Sequence, residues 1–589
     1  MAFNPNINDT STTVMMGSYG RFDNDTTFPS VSVVTGNDNL NGIQTTTYPK
    51  YAQITYDANV NAAGAKYVDI SKRGKDVTGH IKVSQDQNVY EADFEYGPQP
   101  LRWEGLTVGA GTIQHIPGIG GVKMTILSAN DVTIRQSRPY HRYQPGKAMF
   151  MASAVNFGGA QAGQTQRVGF FDDSNGIFFE QSTANPTNSA GMYVAWRTDQ
   201  NQYNVFNTNN TGATSGYDVR VDFANWSDPQ NIKNSINWNN IQMIWMEYAW
   251  YGAGTTRWGI LSGGEQFILH EQIFGNANNQ TIAWSRTGNL PVRYEQRNSS
   301  TTNLSSVLIH FGVSVIVEGG RDAQRGFTYA YSNSGNYNVS AGNIRKPFLS
   351  IRYRPLGTME YGAYGGYAGT AGSTATINGV ISAGSVGLSG LTFSGTPNWG
   401  TNQWQGRSIY FPTISSVAAG NPYGTNARIL SSNYSTIVIG DVVTLSAIPN
   451  FIPNGTPYMI GQIDRGQLLP QSLLINNNSG GGYIEFISST TANPIILTNP
   501  TFVSLSALGS VYSFAERDIS ATAFTGGEVV YGFYLPSNGA TQEKDLSNFF
   551  PLYNNIRGNT PDILTIAITT YNQPVSSLGA TIIAQEAMS

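Results

Sequence analysis

No cysteine occurs in the 589 residues, which excludes a disulfide framework, a thiolate zinc site and a cysteine nucleophile together. Charge is scarce as well. Asp, Glu, Lys and Arg make up 12% of the chain, about half of the ~25% usual in globular domains. A net charge of −4 leaves no broad basic surface of the kind that binds nucleic acid or anionic lipid, so neither is expected as a partner. The histidines are only His80, His115, His141, His270 and His310. Long apolar runs are missing too. A helix crosses the hydrocarbon core with about 20 consecutive apolar residues, whereas the most apolar stretch, Ile241 to Ile260, is interrupted by Glu247 and Gly252. The opening MAFNPNINDT has neither the basic nor the apolar region of a secretory signal, so synthesis in a cytosol is expected.

What is present points to strands. Glycine reaches 65 residues and aromatics 12%, a profile that suits tight turns between short, half-buried strands. In IQMIWMEYAWYGAGTTRWGI the apolar residues surround a helix on all sides instead of marking one stripe. As a strand, the same residues alternate: Met243, Trp245 and Glu247 on one face, Ile244, Met246, Tyr248 and Trp250 on the other. Gly252-Ala253-Gly254 then turns the chain into Thr255 to Leu261. The hairpin is expected at the centre of a layered β domain, with Trp245, Tyr248, Trp250 and Trp258 as core.

The rest of the chain extends this pattern. Residues 1–96 are polar with short alternating pieces and predict a β module or an anchoring arm; their one basic cluster, Lys72-Arg73-Gly74-Lys75, is expected to be a solvated loop. Residues 97–354 carry dense strand signals, including Gln166 to Phe171 and Gly176 to Glu180 joined by Asp172-Asp-Ser-Asn175, an apolar–turn–apolar pattern typical of hairpins. Residues 355–404, rich in glycine and nearly uncharged, predict a linker. Residues 405–589 hold a second β series, with one helical turn expected at Lys544 to Phe550. The fold class is therefore all-β, with jelly-roll or β-sandwich domains joined by a Gly-rich connector.

No catalytic or metal-binding pattern is complete. His270-Glu271 opens like a zinc protease helix, but Phe274 stands where the second histidine belongs. Asp173-Ser-Asn175-Gly176 echoes a calcium loop without its distal glutamate. Gly109-Ala-Gly111 starts a glycine fingerprint that fails at Gln114, and phosphate loops and nucleophile elbows are absent. Paired carboxylates such as Asp172 with Asp173, or Glu247 with Glu265, are expected to be turn residues or partners of Arg142, Arg167 and Arg257. Neither cofactor, metal nor enzymatic activity is expected. Aromatic and amide side chains remain as candidate contacts with a glycan or a neighbouring subunit: Tyr361, Tyr364 and Tyr367, and the Asn-rich loop with Asn207 and Asn209.

Four segments in this order, RPYHRYQPGKAMFMASAVNF (Arg138 to Phe157), GFFDDSNGIFFE (Gly169 to Glu180), NIQMIWMEYAWYGAGTTRWGIL (Asn240 to Leu261) and LPVRYEQ (Leu290 to Gln296), resemble a family of virion structural proteins from tailed phages, notably marine ones, and from large DNA viruses. The carboxy-terminal DLSNFFPLYNNIRGNTPDILTIAI (Asp545 to Ile568) and AQEAMS are similar to that family's closing segment. The resemblance implies a virion component assembled in a host cytoplasm, repeated as a homo-oligomer in contact with other virion proteins, with a trimer preferred by habit among such assemblies. It implies no active site. A tail, fibre, baseplate or capsid-associated position are all open, as is a host-attachment role through a surface glycan; a polysaccharide depolymerase ranks below both.

Overall fold

The computed structural model describes residues 54–60, 66–70, 75–82, most of 86–354, individual strands between 367 and 461, and most of 466–587. The chain divides into two compact units, Met1–Lys82 and Val83–Ser589. In the first, β1 (Ile54–Val60) and β2 (Lys66–Ile70) pair antiparallel, with Tyr56 opposite Val68.

The second unit opens with two facing antiparallel sheets. One runs, in spatial order, β12 (Asp218–Asp222), β11 (Met192–Arg197), β10 (Gly176–Gln181), β9 (Gln164–Phe171), β16 (Val292–Asn298), β7 (Val132–Ser137) and β4 (Trp103–Val108). The other runs β15 (Glu265–Gln272), β14 (Thr256–Ser262), β13 (Gln242–Tyr248), β8 (Met149–Asn156), β17 (Ser306–Val317), β6 (Gly121–Ile126) and β5 (Thr112–Ile116), with β3 (Gln87–Ala92) also on β17. Alternation drives the packing. Val168 and Phe170 of β9, Ile177 and Phe179 of β10 and Tyr294 of β16 meet Val155 of β8, Ile244, Met246 and Tyr248 of β13 and Val315 of β17 in one core. Trp245 points the other way and stacks on Phe150, ring centroids 5.6 Å apart. Trp245, Tyr248 and Trp258 are buried, whereas Trp250 lies beyond the end of β13 and is half-buried, its Nε1 donating to Ser285 O at 2.8 Å.

A second sandwich follows. Its five-stranded sheet orders β18 (Phe327–Ser332), β36 (Val575–Ala587), β27 (Gln467–Asn476) and β34 (Gln542–Asp545), with β19 (Tyr337–Val339) also on β36. Its six-stranded sheet orders β30 (Val503–Ser504), β31 (Ala515–Asp518), β20 (Arg345–Tyr353), β35 (Ile563–Thr570), β28 (Gly482–Ser488) and β33 (Glu528–Leu535). Leu473, Ile582, Ile351, Phe486 and Ile566 share its core. Two corrections to the sequence expectation follow. Strands β18 to β20, assigned with residues 97–354, belong here, because β20 inserts between β31 and β35, Ile351 facing Leu564. The turn expected at Lys544 to Phe550 begins instead with strand β34, which pairs with β27.

The glycine-rich 355–404 also contributes strands. β21 (Tyr367–Thr370) and β22 (Ser389–Thr392) are the two edges of a six-stranded sheet with β26 (Pro457–Gly461), β23 (Ser408–Phe411), β24 (Thr425–Asn433) and β25 (Thr436–Gly440) between them. Short edge strands need only one row of backbone hydrogen bonds, which glycine supplies as well as any residue. A two-stranded ribbon pairs β29 (Ile496–Thr498) with β32 (Ala523–Thr525). Helix among the described residues is limited to 3₁₀ turns at Pro117–Ile119, Phe223–Asn225 and Lys233–Ser235. The structure is thus all-β, built from sandwiches, as its composition and periodicity predict.

Candidate functional site

The turn after β8 meets the long connection from β12 to β13 of the first sandwich, and together they line an open cavity of about 310 Å³. The connection is held rigidly by local polar contacts. Asp222 Oδ1 accepts from Ala224 N at 3.0 Å, and the Asp228 carboxylate accepts from Ile232 N and Lys233 N, each at 3.0 Å. Lys233 Nζ in turn donates to Phe223 O at 2.9 Å and Ala224 O at 3.1 Å. The ammonium group thus supplies a donor to Ala224 O and a second donor to Phe223 O, which already accepts from Trp226 N at 3.3 Å.

Trp238 forms the base of the cavity. Its ring centroid lies 6.0 Å from that of Phe179, 6.1 Å from Trp226 and 6.4 Å from Phe157, which ties it to the shared core. It is 3% exposed, and its buried Nε1 has no hydrogen-bond acceptor. Ile236, Asn237, Asn239 and Gly159 are among the other lining residues, and no charged side chain lines the space. Gly159 is favoured by its left-handed backbone at φ +97°, and a Cβ there would stand 2.7 Å from the tip of Asn239, at Oδ1. Asn237 is itself fixed, accepting from Asn239 N at 3.1 Å through Oδ1 and from Gln242 Nε2 at 2.7 Å through its carbonyl. Amide donors and acceptors over an aromatic base suit an uncharged ligand rich in hydroxyl or amide groups.

The second polar concentration lies on the face of the seven-stranded sheet turned away from the core. Register places Glu180, Arg167 and Glu295 directly across β10, β9 and β16. Arg167 bridges them, Nε to Glu180 at 2.8 Å and Nη1 to Glu295 at 2.9 Å. Arg220 reaches Glu180 at 2.7 Å, Arg297 reaches Glu295 at 2.6 Å, and Arg293 Nη2 lies 2.7 Å from both Glu295 and Asp173. Burial pushes the Glu295 carboxyl up, but Arg297, Arg293 and Arg167 together hold it well below the usual carboxylate range. Glu295 is therefore ionised and suited to pairing rather than to delivering a proton. Asp172 closes the β9–β10 turn by accepting from Ser174 N at 2.7 Å and Asn175 N at 2.8 Å. On the other sheet Arg257 pairs with Glu271 at 2.7 Å and Glu247 at 3.5 Å, so Glu271, not Glu265, completes that group.

Of the contact residues picked from sequence, Tyr367 alone falls among the described residues. Asn207, Asn209, Tyr361 and Tyr364 lie outside the described residues, as do Lys72 to Gly74, and Tyr367 begins strand β21. Trp238, Asn237 and Asn239 were missed, although Asn237-Trp-Asn-Asn240 repeats the same signal of amides beside an aromatic ring. No protein-family model matches the chain, and no curated protein is similar to it in sequence. Solved structures of similar layered form align with part of it. A glycosyl hydrolase family 16 protein of Mycobacterium smegmatis aligns at 9% identity over 39% of this chain and 100% of that one, TM-score 0.25. An endo-1,3-β-glucanase from Streptomyces sioyaensis aligns at 8% identity over 40% and 97%, TM-score 0.27. The carbohydrate recognition domain of Emp47p aligns at 9% identity over 41% and 100%, TM-score 0.25. At such scores the likeness carries no chemistry over to this chain.

Proposed function

We propose that this chain is a non-enzymatic structural subunit of a viral particle, repeated within a tail, fibre, baseplate or capsid-associated assembly. One observation carries this reading. The segments that resemble virion structural proteins fold side by side: they supply β14, β13 and β8, consecutive in one sheet, and β10, β9 and β16, consecutive in the other. Charged residues within them form ion pairs, Arg293 with Asp173 and Arg138 with Asp562. The resemblance thus falls on core and joint residues, which supports a building role over a catalytic one. Mass spectrometry of particles purified from the host should recover peptides of this chain at a fixed stoichiometry. Its absence from purified particles would overturn the proposal.

The cavity at Trp238 favours a second reading compatible with the first: recognition of a neutral host glycan. Ala160 also lines the cavity and is half-exposed, so Ala160→Trp fills the space from its rim without replacing a core residue. On a glycan array the full chain should retain neutral or N-acetylated sugars, and the variant should lose about tenfold or more in affinity, the scale of one or two hydrogen bonds left unmade. Silence of the native chain across such sugars, or binding unaltered by the filled cavity, would refute this reading while leaving the structural one intact.

A further inference from the structure

The outer face of the second sandwich's six-stranded sheet is covered over only part of its extent. There Ile487 of β28 and Ala567 of β35 share an apolar cluster with Leu497 and Phe524 of the β29–β32 ribbon. Beyond Phe524, register sets four side chains in one row across the same face: Arg345 on β20, Thr569 on β35, Tyr483 on β28 and Tyr534 on β33. Glu485, two residues from Tyr483, shares that face and lies opposite Gly532. A Cβ at residue 532 would stand 2.3 Å from Tyr483 Oη, so the tyrosine reaches across the glycine. Tyr534 is 71% exposed, and its ring lies 5.0 Å from that of Tyr483 with the planes inclined at 52°. Desolvation, then the neighbouring Tyr534, Tyr483 and Glu485, raise the pKa of the Tyr571 hydroxyl, which places a third exposed tyrosine at the same spot. Arg345 Nε donates to Glu485 at 2.7 Å, and the guanidinium lies 4.6 Å from the Phe524 ring. Among the described residues the Arg345 side chain hydrogen-bonds through Nε alone, so its Nη donors and Glu485 Oε1 stand open side by side.

We infer that this row binds an uncharged polysaccharide chain, at a site separate from the cavity at Trp238. Three properties select that occupant. The ion pair closes to zero net charge, so an anionic polymer gains nothing from Arg345 that Glu485 does not offset. A guanidinium and a carboxylate joined through one contact keep free donors beside a free acceptor, which is the pattern that vicinal hydroxyls satisfy: one accepts from Nη while its neighbour donates to Oε1. Tyrosine offers an apolar ring face with a hydroxyl at its tip, so the C–H face of a sugar ring packs on it while the sugar's edge stays hydrogen-bonded. A protein partner calls for a contiguous apolar patch, and here Thr569, Gly532 and the ion pair interrupt the aromatic surface. The row spans four strands, about 14 Å at ~4.8 Å per strand, and ends on β33, the last strand of the sheet. That length fits an extended stretch of chain better than a single sugar.

Affinity electrophoresis of the full chain tests this, in native gels that contain mixed-linkage β-glucan, galactomannan or, as an anionic control, alginate. At least one of the two neutral polymers should retard the chain, and alginate should not. Tyr534→Ala and Tyr571→Ala should each raise the polymer concentration needed for half-retardation about tenfold, the scale of one lost stacking contact. If Tyr534→Ala lowers the thermal midpoint of the chain, Tyr571→Ala, which lies outside the strands, carries the test. Ala160→Trp should leave the retardation unchanged, which separates this site from the cavity of the first sandwich. Free migration in both neutral polymers, equal retardation by alginate, or retardation that survives both tyrosine substitutions would overturn the inference.

Discussion

His310 sits on β17 with no exposure, its ring stacked 3.9 Å from that of Tyr294 and enclosed by Phe94 and Trp103. Neither ring nitrogen makes a hydrogen bond of normal geometry. Arg135 lies over the same two rings, 5.0 Å from Phe94 and 5.3 Å from Trp103. Burial, and then the Arg135 charge, hold the imidazole well below its ordinary pKa, so it is neutral when folded. The unfolded chain protonates the same ring near pH ~6.5. Acid therefore favours unfolding: the stability is complete above about pH 6.5 and falls by up to ~1.4 kcal/mol for each pH unit below it. His270, lowered to about 4 chiefly by burial, acts in the same direction between its unfolded pKa and about 4. The thermal midpoint of the first sandwich should thus drop between pH 7 and pH 5. His310→Phe, which keeps a flat ring in the slot, should flatten part of that drop. Superimposable pH profiles for the two proteins would remove His310 as a cause.

At the scale of one element, the β13–β14 hairpin shows how far alternation reaches. Ile244, Met246 and Tyr248 enter the shared core and Trp245 takes the opposite face, as a two-residue period demands. Tyr251 and Gly252, at φ 37° and 83°, carry the reversal. What alternation did not reveal is why the residue facing Trp245 is Gly259. The indole lies across that glycine, and a Cβ there would stand 2.3 Å from the Trp245 ring and 2.1 Å from Phe267 O. Gly259→Ala should therefore cost about 1–3 kcal/mol through overpacking, visible as a lower denaturant midpoint. Local patterning gave strands because both faces of each strand are written in its own residues. It was silent on which sandwich receives β18 to β20, because pairs such as Ile351 with Leu564 and Phe327 with Glu586 join residues with no local signature in common. The cavity was hidden for a related reason: Asn237-Trp238-Asn239 reads as a turn until the core beneath Trp238 and the glycine across from Asn239 are brought to it.

At the scale of the molecule, the two sandwiches are joined by the segment between β34 and β35. Arg138 donates to the Asp562 carboxylate, which also accepts from Tyr553 N at 3.0 Å, and the Arg138 guanidinium lies 5.9 Å from the Tyr553 ring. Ile556 N donates to Glu104 Oε2 at 2.9 Å, and the Ile556 side chain packs on Val132 and Ile134. These contacts cap the outer face of β4 and β7 with a piece of the second sandwich. Removing one member of a buried ion pair costs about 3–5 kcal/mol, because the remaining charge stays buried without a partner. Arg138→Ala should do so here, and the loss should fall on the joint and not on either core. Calorimetry would separate the cases. With the joint intact the sandwiches unfold together; in Arg138→Ala the endotherm should split in two, with the combined enthalpy nearly kept. Asp562→Asn, which retains an acceptor for Tyr553 N and leaves the arginine at a site flanked by Glu104, should split it less. A single endotherm shifted as a whole in both variants would mean that the sandwiches are coupled through the apolar contact of Ile556, and that the ion pair only orients it.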